Sequence, residues 1–186
     1  MKLQPEIDFI VVKKGGYFDG RRTLQQMGNL VVTKKSMILN VMLTSDAMKT
    51  HFEQSGDYKG NTAWTPVGRL KNSVSDLKVA TKDTKASVAV AKESFRIMKE
   101  MRISAGIIEG IAAESDSLDD FETRVAAMGE GNPKSFRISL KDISNIKMGF
   151  IGPLKVTLKN GTVMKMFAMG SRKKVKNFLT SHISKF

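Results

Sequence analysis

The sequence predicts an α+β protein in which an antiparallel β-domain is split by a helical insertion and closed by a C-terminal helix. Three observations carry this expectation. Both ends of the 186-residue chain have the short apolar runs and tight-turn residues of strands. The middle has apolar residues at helical spacing behind two capping boxes. Charge follows the same division: residues 1–40 carry 7 Lys/Arg against 3 Asp/Glu, residues 41–134 carry 13 against 14, and residues 135–186 carry 11 against Asp142 alone. The net charge of +13 therefore belongs to the two ends. The β-domain is expected to comprise residues 1–40 and 135–186, and the insertion residues 41–134.

At the N-terminal end, "DFIVVKK" (8–14) is rich in β-formers and "GGYFDGRR" (15–22) has the glycines of a turn. "MGNLVVTKKSMILNVML" (27–43) is two apolar runs broken at Thr33-Lys34-Lys35, as expected of strands joined by a tight connection. In the middle, Ser45 leads Met48 and Phe52, with Gly56 as a stop. A capping box at Ser73 and Asp76 opens a stripe through Leu77, Ala80, Thr84, Val88, Ala91, Phe95, Met98, Ala105, Ile108 and Ala112. If continuous, that helix is about 40 residues, or roughly 60 Å, with Gly106 and Gly110 as the places it could break. Ala91, Ala105 and Ala112, with the two glycines close by, would allow near approach of a second helix. Residues 77–112 are thus a candidate surface for self-association or a protein partner. The alternative is that the stripe packs on its own β-domain and on the next helix. That helix opens at a second capping box, Ser117 with Asp120, and carries Leu118, Phe121, Val125 and Met128 up to Gly129.

At the C-terminal end, "SFRISLKDISNIKMG" (135–149) alternates Phe136, Ile138 and Leu140 with Arg137, Ser139 and Lys141, the period of a half-buried strand. Leu154, Val156 and Leu158 repeat the pattern before Asn160-Gly161, a strong hairpin signal. A two-residue turn there would put Lys165 on the apolar face. A three-residue loop with Gly161 left-handed instead aligns Val156 with Met164 and Leu154 with Met166, and is the predicted turn. Ser171 is a plausible N-cap for a final helix with Val175, Phe178, Leu179 and Ile183 on one face. Phe178 is the side chain expected to plug the curved sheet.

"GNLVVTKKSMIL" (28–39) resembles the first strands of GRAM domains, members of the pleckstrin-homology-like superfold. "ISLKDISNIKMG" (138–149) and "LKVTLKNGTVMKMFAMGSRKKVKNFL" (154–179) resemble their later half. The resemblance implies a PH/GRAM-like bent antiparallel β-barrel of about seven strands capped by the C-terminal helix. The helical insertion is the departure. Such a fold hosts lipid binding, peptide binding and scaffolding alike, so function is sought in the residues.

Composition narrows the classes. Without cysteine there is no disulfide, thiolate metal site or thiol nucleophile. No apolar run reaches the roughly 20 residues of a membrane span. Glu6 and Asp8 make "MKLQPEIDFIVVKK" unlike a secretory signal, so a cytoplasmic location is expected, with peripheral membrane contact open. His51 and His182 are far apart, and no H-x-x-x-H, G-x-S-x-G or P-loop is present. Asp119 and Asp120 fit a helix first turn, where acids favour the dipole. An enzyme is not expected, nor a metal or cofactor. The basic residues form the functional candidate. Lys13, Lys14, Arg21 and Arg22 flank the first turn, and Arg172, Lys173, Lys174 and Lys176 crowd the last helix. In lipid-binding pleckstrin-homology domains the first hairpin grips phosphorylated head groups through basic residues; here Arg21 and Arg22 are adjacent rather than spaced. The expected partner is anionic membrane lipid or a phosphorylated head group, with nucleic acid as the competing polyanion. Tyr17 and Phe18 are candidates for a membrane wedge or for base stacking.

Overall fold

The computed structural model describes residues 7–18, 25–44, 84–148 and 153–183. These form seven strands: β1 (Phe9–Phe18), β2 (Gln25–Thr33), β3 (Ser36–Leu43), β4 (Phe136–Ser139), β5 (Ile143–Met148), β6 (Leu154–Leu158) and β7 (Val163–Ala168). Helices α1 (Thr84–Glu114) and α2 (Leu118–Ala127) lie between β3 and β4, and α3 (Arg172–Ile183) ends the described chain. The strands make one curled antiparallel sheet in the order β4-β3-β2-β1-β7-β6-β5. It is a half-barrel rather than a hydrogen-bonded closed barrel, because β4 and β5 are its two edges. The fold is thus α+β as expected; β3 runs on to Leu43, past the expected boundary at residue 41, and residues 44–135 lie between β3 and β4.

The alternation over residues 136–141 suggested one strand, and the structure divides it. After β4 the chain makes a 3-10 turn, Leu140–Asp142, with the Ser139 side chain accepting a bond from the Lys141 amide. The Leu140 amide donates to the Lys35 carbonyl at 2.7 Å, and its side chain is buried. Three residues carry the chain from one sheet edge to the other, which requires the sheet to be curled. The period of two holds through β4, and Ile146 and Met148 resume it in phase after a bulge between Ile143 and Asn145, so the pattern did not mark the corner.

A second correction concerns "GGYF". Residues 15–18 lie inside β1, not in the turn, and residues 19–24 lie outside the described residues. β1 pairs with β2 from Phe9 to Phe18 and also with β7, where Gly15, Gly16 and Tyr17 face Ala168, Phe167 and Met166. A bulge at Lys13-Lys14 re-aims the strand before this double pairing. A Cβ on Gly16 would stand 2.0 Å from the Gln26 carbonyl oxygen and 2.4 Å from the Phe167 ring. The glycines serve close packing.

The bulged β6–β7 turn is as expected. Val156 pairs with Met164 and Leu154 with Met166, Gly161 has φ of 84°, and the Asn160 side chain accepts from the Thr162 amide. Val156, Leu154 and Met166 thereby enter the inner core with Leu30, Val32, Met37 and Leu39.

The insertion covers the outer face of β1–β3. Val31 and Ile38 meet Ile108 of α1 with Phe121 and Val125 of α2, and the Phe9 and Phe121 rings lie 4.9 Å apart. β2 and β3 are therefore buried on both faces, which is why they read as continuous apolar runs while β4–β7 alternate. The second capping box forms: the Ser117 hydroxyl accepts from the Asp120 amide at 3.1 Å. α1 runs unbroken through Gly106 and Gly110. Its buried face is Met101, Ala105 and Ile108, whereas Phe95, expected on that stripe, is 69% exposed. Ala105 faces its own sheet rather than another molecule. The helix expected from Ser45 to Gly56, and the start expected at Ser73, lie outside the described residues.

α3 packs over the inner core, with Ser171 preceding it and its carbonyl accepting from the Val175 amide. The plug is Val175 and Leu179, both fully buried. Phe178 is half-buried at the margin of that core and stacks on His182 at 4.4 Å. We predict that Leu179→Ala lowers stability in chemical denaturation by about 2–5 kcal/mol and Phe178→Ala by less, the order of the two being the check. Gly16→Ala should lower it by about 1–3 kcal/mol through overpacking against Gln26 and Phe167; an unchanged melting temperature would refute the close crossing.

Candidate anion-binding surface

The fold brings the two predicted basic groups to one region of backbone. The Met169 amide donates to the Lys14 carbonyl at 3.0 Å, so the β1 bulge abuts the turn into α3 three residues before Arg172. Lys13, Lys173 and Lys174 are exposed, while Arg172 and Lys176 are half-buried. Lys14 turns towards α1, its ammonium 3.1 Å from the Met98 sulfur. Arg21 and Arg22 lie outside the described residues. The two aromatic candidates do not act as a pair, because consecutive strand residues point to opposite faces. Tyr17 packs edge-on against Phe136 in the inner core, at 5.4 Å, and Phe18 packs edge-on against Phe167 on the outer face, at 5.7 Å.

Strand register reveals a basic feature that inspection of runs missed. Lys147 of β5 is paired with Lys155 of β6, which is paired with Lys165 of β7. All three are exposed and point away from the core, so a row of lysines crosses the outer face of β5–β7. Directly opposite residues have Cβ atoms about 4.5–5.5 Å apart. Two ammonium groups held about 5 Å apart in water repel by somewhat under 1 kcal/mol. No described acid forms an ion pair with any of the three. The sequence signal was there: with the bulged turn fixed, residues summing to 320 across Asn160-Gly161 are opposite, and Lys155 with Lys165 is such a pair.

A second polar site lies at the other end of the sheet. Glu122 of α2 is fully buried, accepting hydrogen bonds from the Thr33 hydroxyl and the Arg137 guanidinium. Thr33 also accepts from the Lys35 and Ser36 amides, fixing the β2–β3 turn. Lys35 reaches both oxygens of Asp119 at 2.7 and 2.8 Å. That hydrogen bond and charge, with a smaller contribution from Arg137, hold the Asp119 carboxyl below its ordinary value of 3.8. Lys35, Glu122 and Arg137 border a groove of about 600 Å³ together with Ser36, Ser139, Lys141 and Asp142. Lys35 is paired with Asp119 and Arg137 with Glu122, so these contacts form a clamp joining α2 to the sheet. Position 122 follows Leu118 by one helical turn; an acid on that apolar face signals a cationic partner, here the exposed Arg137 reaching in to it.

Arg137→Ala should destabilise by about 1–3 kcal/mol or more, because it leaves a buried carboxylate with Thr33 alone. Denaturation of the single variants and of Glu122→Gln/Arg137→Ala would show the second loss to be smaller once the charge is gone. A depressed carboxyl stabilises the fold above its unfolded pKa and loses that contribution as pH falls through the folded value. Lys35→Gln should therefore move the Asp119 titration, followed by NMR, upward.

Among the described residues no group of three His, Asp or Glu side chains is placed to hold a metal, and no helix is long and apolar enough to cross a membrane. Comparison with protein families, with curated proteins and with solved structures finds no match to this chain.

Proposed function

We propose that the protein is a non-enzymatic PH/GRAM-like binding module that attaches peripherally to anionic membrane through its basic surface. The observation that carries this reading is the lysine row, Lys147, Lys155 and Lys165, standing across three strands without acidic partners among the described residues. Like charges directly opposite disfavour the sheet, and an anionic surface relieves that repulsion. Beyond β7 the chain runs directly into Lys173 and Lys174, which extends the positive surface towards the helix. Seven strands with a C-terminal helix packed on the inner core support the family resemblance.

A flat row suits a charged plane better than a pocket, so affinity comes from summed attraction of about 1 kcal/mol per lysine near the surface. The triple variant Lys147→Gln, Lys155→Gln, Lys165→Gln should keep or slightly raise stability. It should bind phosphatidylserine-containing vesicles one to two orders of magnitude more weakly. Wild-type binding should fall steeply as salt rises through about 0.15 M, and neutral vesicles should not bind. Undiminished vesicle binding in the variant, or none by the wild type at low salt, would remove this reading. Loss of affinity for DNA or RNA in its place would make nucleic acid the partner.

A further inference from the structure

We propose that the outward face of α1 is a self-association surface on which a second copy of the chain packs its own α1 in antiparallel orientation. Phe95, Ile103 and Ile107 are 69%, 54% and 51% exposed, and all lie on the side opposite the buried Met101, Ala105 and Ile108. Gly106 and Gly110 share that side, and a Cβ at either would meet no atom within 4 Å. Each glycine inside a helix costs about 1 kcal/mol relative to alanine. No intramolecular contact among the described residues requires their lack of side chain, whereas a closely approaching helix does.

Charge selects the occupant. Lys99 stands on this face, and Arg102 and Glu109 stand along one flank of it, in its N-terminal and C-terminal parts, all exposed and none in an ion pair with a described residue. A helix paired in parallel with its copy would set Arg102 beside Arg102 and Glu109 beside Glu109. In the antiparallel arrangement, with the two-fold axis beside residues 105 and 106, Arg102 of each copy faces Glu109 of the other. The same axis places Ile103 opposite Ile107, both ways. One register therefore satisfies the apolar and the charged residues together, and a two-fold contact of this kind closes as a dimer. Gly106 lies at the centre, where the backbones approach most closely, and Gly110 about 7 Å along the helix from that centre.

From Phe95 to Gly110 the face is about 24 Å long, at 1.5 Å per residue. A helix pair of that length is at the low end of specific interfaces, so a dissociation constant on the order of 10 μM is expected.

Sedimentation equilibrium of the full chain should show a monomer–dimer equilibrium in that range. Gly106→Leu, which fills the face without touching the core, should weaken it about tenfold or more, with circular dichroism unchanged. Arg102→Glu or Glu109→Arg alone should weaken it about tenfold, since each creates two like-charge contacts per dimer, and the double variant should return to within about threefold of the wild type. The absence of cysteine makes orientation testable. Gly106→Cys should cross-link on oxidation, whereas Phe95→Cys should not, because an antiparallel pair holds those residues about 30 Å apart. A chain that stays monomeric at 100 μM (about ten times the expected constant), a Gly106→Leu variant that dimerises as well as wild type, or a ready Phe95→Cys cross-link would overturn the proposal.

Discussion

The sheet depends on β1 serving two neighbours. Its first half pairs with β2 alone, and its last residues pair with β2 and β7 at once, joining the β2–β4 and β5–β7 groups of strands through Gly15, Gly16 and Tyr17. Side chains at 15 and 16 would collide with Leu30, Gln26 and Phe167. The bulge at Lys13-Lys14 supplies the bend, and its carbonyls do further service. Lys13 accepts from the buried Asn29 side chain, and Lys14 from the Met169 amide. Curling the sheet in this way sets its two edges close enough for the three-residue turn at Leu140–Asp142 to connect them. It also leaves an inner concavity that α3 fills.

Burial on both faces divides the sheet by role. β1–β3 are sandwiched between the inner core and the helices of the insertion, and are held there by polar as well as apolar contacts. The Asn29 amide donates to the Met101 carbonyl and the Asn40 amide to the Val125 carbonyl, so each strand face grips a helix backbone. Glu122 with Thr33 and Arg137 ties the corner. The outer side of β7, by contrast, meets α1 through Phe167, which packs against Met27 and Met101, while Lys147, Lys155 and Lys165 on the same side of β5–β7 stand exposed. The helices between β3 and β4 thus cover the outer face of β1–β3, and the exposed lysines lie on the other half of the half-barrel.

Much of this was legible in the sequence. Asn160-Gly161, together with the need to keep Lys165 off the core, determined the hairpin and its register, because a slip of one residue turns every side chain to the wrong face. Ser117 with Asp120 determined the start of α2, and Val175 with Leu179 marked the apolar side of α3. The concentration of positive charge at the two ends followed from composition alone.

What the tertiary structure decided were the matters that depend on distant partners. Beyond the corner at Leu140 and the bulge at Ile143–Asn145, Ile146 and Met148 fall back in phase with Phe136 and Ile138, so only the pairing of β4 with β3 and of β5 with β6 separates the two strands. The glycines at 15 and 16 look locally like turn residues, and only the crossing of β1 between β2 and β7 gives them a packing role. Phe95 fits a helical stripe as well as Met101 does; which face meets the sheet depends on Val31 and Ile38, more than 50 residues earlier in the chain. The lysine row is likewise a property of register, since three residues spaced 8 and 10 positions apart become neighbours only when β5, β6 and β7 align.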